Sequence, residues 1–117
     1  MKYLLIWYPG CSTCRNARKW LQEHQIEFEE RHIVEQRPLE EELKIWWQKS
    51  GLPLVKFFNT SGLVYKSLQL KDKFPDMAEE EKIRLLASDG KLIKRPLLIS
   101  GDKVWVGFKP EVWEKEI

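Results

Sequence analysis

The stretch Tyr3-Leu4-Leu5-Ile6-Trp7-Tyr8-Pro9-Gly10-Cys11-Ser12-Thr13-Cys14-Arg15-Asn16-Ala17 decides how the chain is read. Its first five residues are a short, unbroken apolar run, the pattern of a strand buried on both faces. Pro9 and Gly10 end that run. From Ser12 to Glu23 the pattern turns helical, with Ala17, Trp20 and Leu21 on one face at i, i+3 and i+4. Cys11 therefore opens a helix directly after a strand. Cys14 lies about one turn further in. They are the two cysteines of the 117-residue chain.

Working outward, Glu27 to Ile33 alternates around Phe28 and reads as a second strand, parallel to the first and joined by a right-handed crossover. The middle differs. Pro38 opens a helical run with Glu40, Glu41 and Glu42 in its first turn, where acids suit the helix dipole. Leu43, Trp46 and Trp47 mark its apolar face, and Ser50-Gly51 stops it. Leu54 to Phe58 predicts a short helix closed by Asn59-Thr60-Ser61-Gly62. Met77 to Ser88 predicts another, closed by Asp89-Gly90. Strand character returns at Leu97 to Ser100 and Val104 to Phe108, around the turn pair Gly101-Asp102. Pro110 starts a closing helix. The order β-α-β, helices, β-β-α is that of an α/β protein of thioredoxin or glutaredoxin type. It implies a mixed four-stranded sheet with a helical insert before the C-terminal hairpin. The expected organisation is a single domain over 1–117, with its core at 1–37 and 91–117 and the insert at 38–90.

Composition narrows the function. The net charge is +2 with acids and bases well mixed, which supports neither a direct nucleic-acid role nor bulk attraction to a membrane. The run from Met1 to Tyr8 is too short for a spanning helix or a signal peptide. The expected location is the cytoplasm, where a purely structural disulfide is disfavoured. A C-x-x-C pair there points to redox chemistry.

The position of Cys11 supplies the reason. A helix start presents unpaired N–H groups and roughly half a positive charge, both of which favour a thiolate. Arg15 and Arg18 on the next turns are candidates to add to this. A lowered pKa gains little in attack, because intrinsic nucleophilicity falls with it; it makes Cys11 a good leaving group. The motif thus suits thiol exchange, with Cys11 attacking and Cys14 resolving. Arg95-Pro96 precedes the third strand, where a fold of this type places a cis-proline opposite the cysteine loop. Arg95 offers a fork of donors to an anion beside Cys11. Other readings compete. The cysteines are alternatively inert core residues, and Arg95 a solvated cation. A zinc site lacks a second C-x-x-C, and His24 and His32 are wrongly spaced for it. A phosphatase loop needs an arginine where Ala17 stands. Trp46-Trp47 reads as insert core, the two histidines as surface or satisfied core residues, and Glu79-Glu80-Glu81 as a solvated first turn.

Tyr8-Pro9-Gly10-Cys11-Ser12-Thr13-Cys14-Arg15-Asn16-Ala17, together with Lys94-Arg95-Pro96-Leu97-Leu98, resembles the arsenate reductase-like (ArsC/Spx/MgsR) family over essentially the whole chain. Lys56 to Gly62 and Leu85 to Pro96 look like the branch designated arsenate reductase family proteins or Spx/MgsR-like. The resemblance implies a thiol-dependent reductase with catalytic Cys11, Cys14 and Arg95. Ser12, Thr13, Arg15, Pro96, Asn59 and Lys109 are then the substrate-binding candidates. It implies no bound cofactor and no metal, and an external thiol donor: glutathione, bacillithiol, glutaredoxin or thioredoxin. The family's reductases surround the oxyanion with three arginines. One matches Arg95; the others fall at Asn59 and at Phe108 or Lys109. Their histidine before the nucleophile is Trp7 here, and the serine after it is Cys14. Arsenate is then at most a weak substrate. Within the same resemblance stands an alternative: an Spx/MgsR-type regulator, switched by Cys11 and Cys14, that binds the C-terminal domain of the RNA polymerase α subunit through the region of Gly51 and Arg95.

Overall fold

The computed structural model describes residues 2–117. Strands β1 (Tyr3–Trp7), β2 (Phe28–His32), β3 (Leu97–Ser100) and β4 (Lys103–Val106) form one sheet in the order β2-β1-β3-β4. The β1–β2 pair is parallel, and β3 runs antiparallel to both β1 and β4. The helices are α1 (Ser12–Glu23), α2 (Glu40–Ser50), α3 (Leu63–Ser67), α4 (Leu70–Lys73), α5 (Glu79–Ser88) and α6 (Pro110–Glu116). Leu54–Phe57, Phe74–Asp76 and Gly90–Leu92 are 3₁₀ turns. The mixed four-stranded sheet with its helical insert is the α/β architecture expected from the sequence.

The sheet is covered on both faces because its central strands are apolar on both. In β1 adjacent residues point to opposite sides, and Leu5 and Ile6 are both fully buried. Leu5, Leu98 and Trp105 pack with Ala17, Trp20 and Leu21 of α1 and Trp113 of α6. Ile6, Leu97 and Ile99 pack against the insert, including Leu43, Trp46, Phe57 and Phe58. Trp46 is thus insert core, as its spacing predicts. Trp47 is half-buried and donates its Nε1–H to the Leu52 carbonyl at 2.9 Å.

Two local features seat the insert. Gly90 packs so closely that a Cβ there would lie 2.1 Å from the Ile33 carbonyl oxygen; a side chain has no room. The insert also pairs directly with the strand leading to β3. Phe58 and Ile93 form a β-bridge, the Asn59 N–H donates to the Leu92 carbonyl at 2.7 Å, and the Lys94 N–H donates to the Phe57 carbonyl at 2.7 Å. This bridge fixes Asn59 beside the segment that carries Arg95.

The insert contains more helix than the sequence signals. Leu63–Ser67 and Leu70–Lys73 are helices of five and four residues. Neither is long enough to display a 3.6-residue period. They hold their place through Tyr65 and Leu70, which are buried, and through the edge-on packing of Phe58, Tyr65 and Phe74.

Candidate functional site: the cysteine loop and its basic cleft

Cys11 is the N-cap of α1. Its own N–H donates to the Tyr8 carbonyl at 3.0 Å, and its carbonyl accepts the Arg15 N–H at 3.0 Å. The loop is therefore closed behind it and the helix begins in front of it. Cys11 is half-exposed, Cys14 is fully buried, and both are free thiols.

The two thiols differ sharply. Partial burial pushes Cys11 up, but the Cys14 N–H, the Cys14 thiol and the Arg95 guanidinium outweigh it and hold Cys11 below the ordinary thiol range. Burial is the largest influence on Cys14 as well. The neighbouring Cys11 charge adds to it, against the opposing Tyr8 amide and Arg95, and Cys14 is pushed up to about 12.

The bond between Arg95 and Pro96 is cis. The Arg95 guanidinium carbon lies 5.1 Å from the centre of the Tyr8 ring, and its Nη1 is buried with no hydrogen-bond partner. Tyr8 is itself held edge-on by His32, ring centres 5.5 Å apart. Gly10 lies against the same ring, where a Cβ would come within 2.8 Å of Tyr8 Cε2. A cation stacked on an aromatic face retains its charge, and Arg95 brings that charge to Cys11.

A cleft of ≈ 430 Å³ opens over Cys11 and is lined by Thr13, Asn59, Arg95 and Lys109 among others. Of the candidates, these converge with Cys11. Gly107, in the left-handed region at φ +80°, donates its N–H to the Pro96 carbonyl at 2.8 Å and so brings Phe108 and Lys109 to the rim. Pro96 is buried beneath. Ser12 is exposed and outside the lining. Arg15 turns away and donates from Nη1 to the Pro9 carbonyl at 2.8 Å. Arg18 pairs with Glu30 and lies over Trp7. The cation that acts on Cys11 is thus Arg95, from the far end of the chain. Gly51 is exposed, in the left-handed conformation at φ +69° that ends α2, and outside the cleft.

Sequence reasoning passed over Tyr8, Lys94 and Ser61. Lys94 and Ser61 line the cleft. A signal existed for Lys94 and Tyr8: one neighbours Arg95, and the other sits three residues before Cys11. Ser61 has none, because only the Phe58–Ile93 bridge brings its loop to the cysteines. Among the described residues no group of three or more His, Cys, Asp or Glu side chains is placed to hold a metal ion. His24 stacks on Trp20, ring centres 3.8 Å apart. His32 Nδ1 accepts the Val34 and Glu35 N–H groups. No helix of the described residues is long and apolar enough to cross a membrane.

A family model, the ArsC family, matches residues 6–116. The chain belongs to the ArsC family. It is 56% identical to YusI of Bacillus subtilis (strain 168) over 115 residues, covering 98% of each chain. It is 35% identical to the regulatory protein MgsR of the same organism, over 88% of this chain and 80% of that one. The crystal structure of an ArsC family related protein from Bacteroides fragilis superposes with a TM-score of 0.94 at 59% identity, covering 98% of this chain and 97% of that one. These likenesses span core and insert alike.

Proposed function

We propose that this ArsC-family chain is a cytoplasmic thiol–disulfide oxidoreductase with Cys11 as nucleophile and Cys14 as resolving thiol. The observation that carries the reading is the asymmetry within one loop: the accessible sulfur is held low, and the buried one is pushed up to about 12. Cys11 thiolate attacks one sulfur of a substrate disulfide; that S–S bond breaks, and the departing sulfur leaves as a thiolate that takes a proton from solvent. A mixed disulfide at Cys11 carries no charge, so one of the influences raising Cys14 disappears at the moment Cys14 is required. Cys14 then attacks Cys11 Sγ, its proton passing to the second departing substrate thiolate. The resulting Cys11–Cys14 disulfide is returned to two thiols by two electrons from an external donor: glutathione, bacillithiol, glutaredoxin or thioredoxin. No bound cofactor enters the cycle.

Arg95 lines the cleft beside Cys11 and orients an anionic group of the substrate there. Arsenate meets one arginine in this cleft, with Asn59 and Lys109 where further arginines would strengthen its hold, and is a weak substrate. The test is turnover of 2-hydroxyethyl disulfide and of arsenate with each thiol donor, for wild type, Cys11→Ser and Cys14→Ser. The reading expects disulfide reduction that needs both cysteines and exceeds arsenate reduction. No turnover with any donor sinks it.

The similarity to a regulatory protein supports a second reading, a redox-switched regulator that binds the RNA polymerase α C-terminal domain. Isothermal titration of that domain into oxidised and reduced protein separates the two. Binding in one redox state favours the regulator; no binding in either removes it.

A further inference from the structure

The cleft over Cys11 does not end at the cysteine loop. A second hollow of ≈ 380 Å³ adjoins it and shares Lys94, Val106 and Lys109 with it. Beyond the shared rim it is lined by Leu52 and Val55, exposed to 38% and 37%, and by Lys56. Lys56, Lys94, Arg95 and Lys109 place four positive charges along the two hollows, and neither lining includes an acidic side chain. None of the three lysines takes part in an ion pair among the described residues. A small thiol compound is accommodated by the first hollow alone and gives no use to the second.

Resting on the oxidoreductase reading, we infer that the substrate is a polypeptide: an extended segment whose oxidised cysteine meets Cys11, with acidic residues along the lysine rim and an apolar side chain on Leu52 and Val55. Each hollow is roughly 9 Å across, which an extended chain crosses in about three residues at ~3.3 Å each. The apolar residue therefore stands about three positions from the cysteine. Charge complementarity raises the encounter rate and the apolar contact holds the register.

The chemistry to be read is one step. Cys11 thiolate attacks the peptide sulfur of a disulfide between the peptide cysteine and thionitrobenzoate. The S–S bond breaks, coloured thionitrobenzoate leaves with the electron pair, and Cys11 is joined to the peptide. A Cys14→Ala variant stops the reaction there. The probes are an acidic peptide with leucine three residues from its cysteine, the same peptide with lysines for the acids, and the same peptide with serine for the leucine. 2-Hydroxyethyl disulfide is the small reference. The acidic leucine peptide is expected to react about tenfold faster than its lysine counterpart at low salt, with the difference shrinking at high salt. The serine peptide is expected to fall in between. Lys56→Glu, which halves the net charge of the two hollows, is expected to cut the tenfold advantage to about threefold, and Leu52→Gln to abolish the difference between the leucine and serine peptides; both lie outside the cysteine cleft and leave the rate with 2-hydroxyethyl disulfide unchanged. Equal peptide rates, or an advantage that Lys56→Glu does not diminish, overturn this inference alone. An unreactive Cys11 even toward 2-hydroxyethyl disulfide overturns the oxidoreductase reading, and this inference with it.

Discussion

Alkylation by iodoacetamide separates the two cysteines by rate, and the size of the separation follows from the value for Cys14. At pH 7 a thiol pushed up to about 12 is ionised to roughly one part in 10⁵. An ordinary thiol with a pKa of ~8.5 is ionised to ~3%, about 3,000-fold more. The more basic thiolate is intrinsically the better nucleophile, by about 50-fold for a Brønsted slope near 0.5. Cys14 is therefore expected to react roughly 60-fold more slowly than an ordinary exposed thiol before its complete burial is counted. Cys11 is half-exposed and held low by the Cys14 amide and thiol and by Arg95. Mass-spectrometric mapping of timed samples should show one label, at Cys11, long before a second. Two variants test the causes. Arg95→Gln removes the cation and shifts the pH at which Cys11 labels upward. Cys11→Ser removes the anion beside Cys14, so Cys14 labels faster than in the wild-type chain, though still slowly because burial remains. Comparable labelling of both cysteines in the wild-type protein, or a Cys11 pH profile that Arg95→Gln does not move, would refute the reasoning.

Three further predictions concern the support around the site. Tyr8→Leu withdraws the aromatic face beneath Arg95; with ~0.5–1 kcal/mol for such a contact and the opposing gain in thiolate nucleophilicity, Cys11 alkylation near neutral pH should slow by about 1.5- to 2-fold, and an unchanged rate would show that the ring does not position the cation. Gly90→Ala forces a Cβ to within 2.1 Å of the Ile33 carbonyl oxygen; an overpacking cost of ~1–3 kcal/mol should lower Tm by roughly 5–15 °C in calorimetry, and a Tm within a degree of wild type would refute the close approach. Arg31 binds Glu42 through both Nη atoms at 2.7 Å, and the pair holds the Glu42 carboxyl below its usual range and raises Arg31. A depressed carboxylate contributes stability above its unfolded pKa of ~4.3 and loses it as pH falls through the folded value; Glu42→Gln should therefore cost about 0.5–1 kcal/mol at pH 7 by urea denaturation, with a difference from wild type that shrinks below about pH 4.

The amino-acid sequence by itself determined the local elements whose signals are contained in a few neighbouring residues. The apolar run from Tyr3, the stop at Pro9-Gly10 and the period through Ala17, Trp20 and Leu21 placed Cys11 at a helix start, and the structure has β1 and α1 at those bounds. Gly51 ends α2 and Gly101 turns the last hairpin for the same local reason, since both need positive φ. Helices α3 and α4 were not legible, because four or five residues are too few to show a period and their order comes from packing. The electrostatics of the site were decided only in three dimensions. Arg15 and Arg18 follow Cys11 in the chain, yet one is turned to the Pro9 carbonyl and the other to Glu30. Arg95 reaches Cys11 because β3 pairs antiparallel with β1. Asn59 and Ser61 join it through the Phe58–Ile93 bridge, and Lys109 through the turn at Gly107. Helix and turn signals act over one to four residues, whereas the charge around a thiolate depends on distance in space, which strand pairing sets across the whole length of the chain.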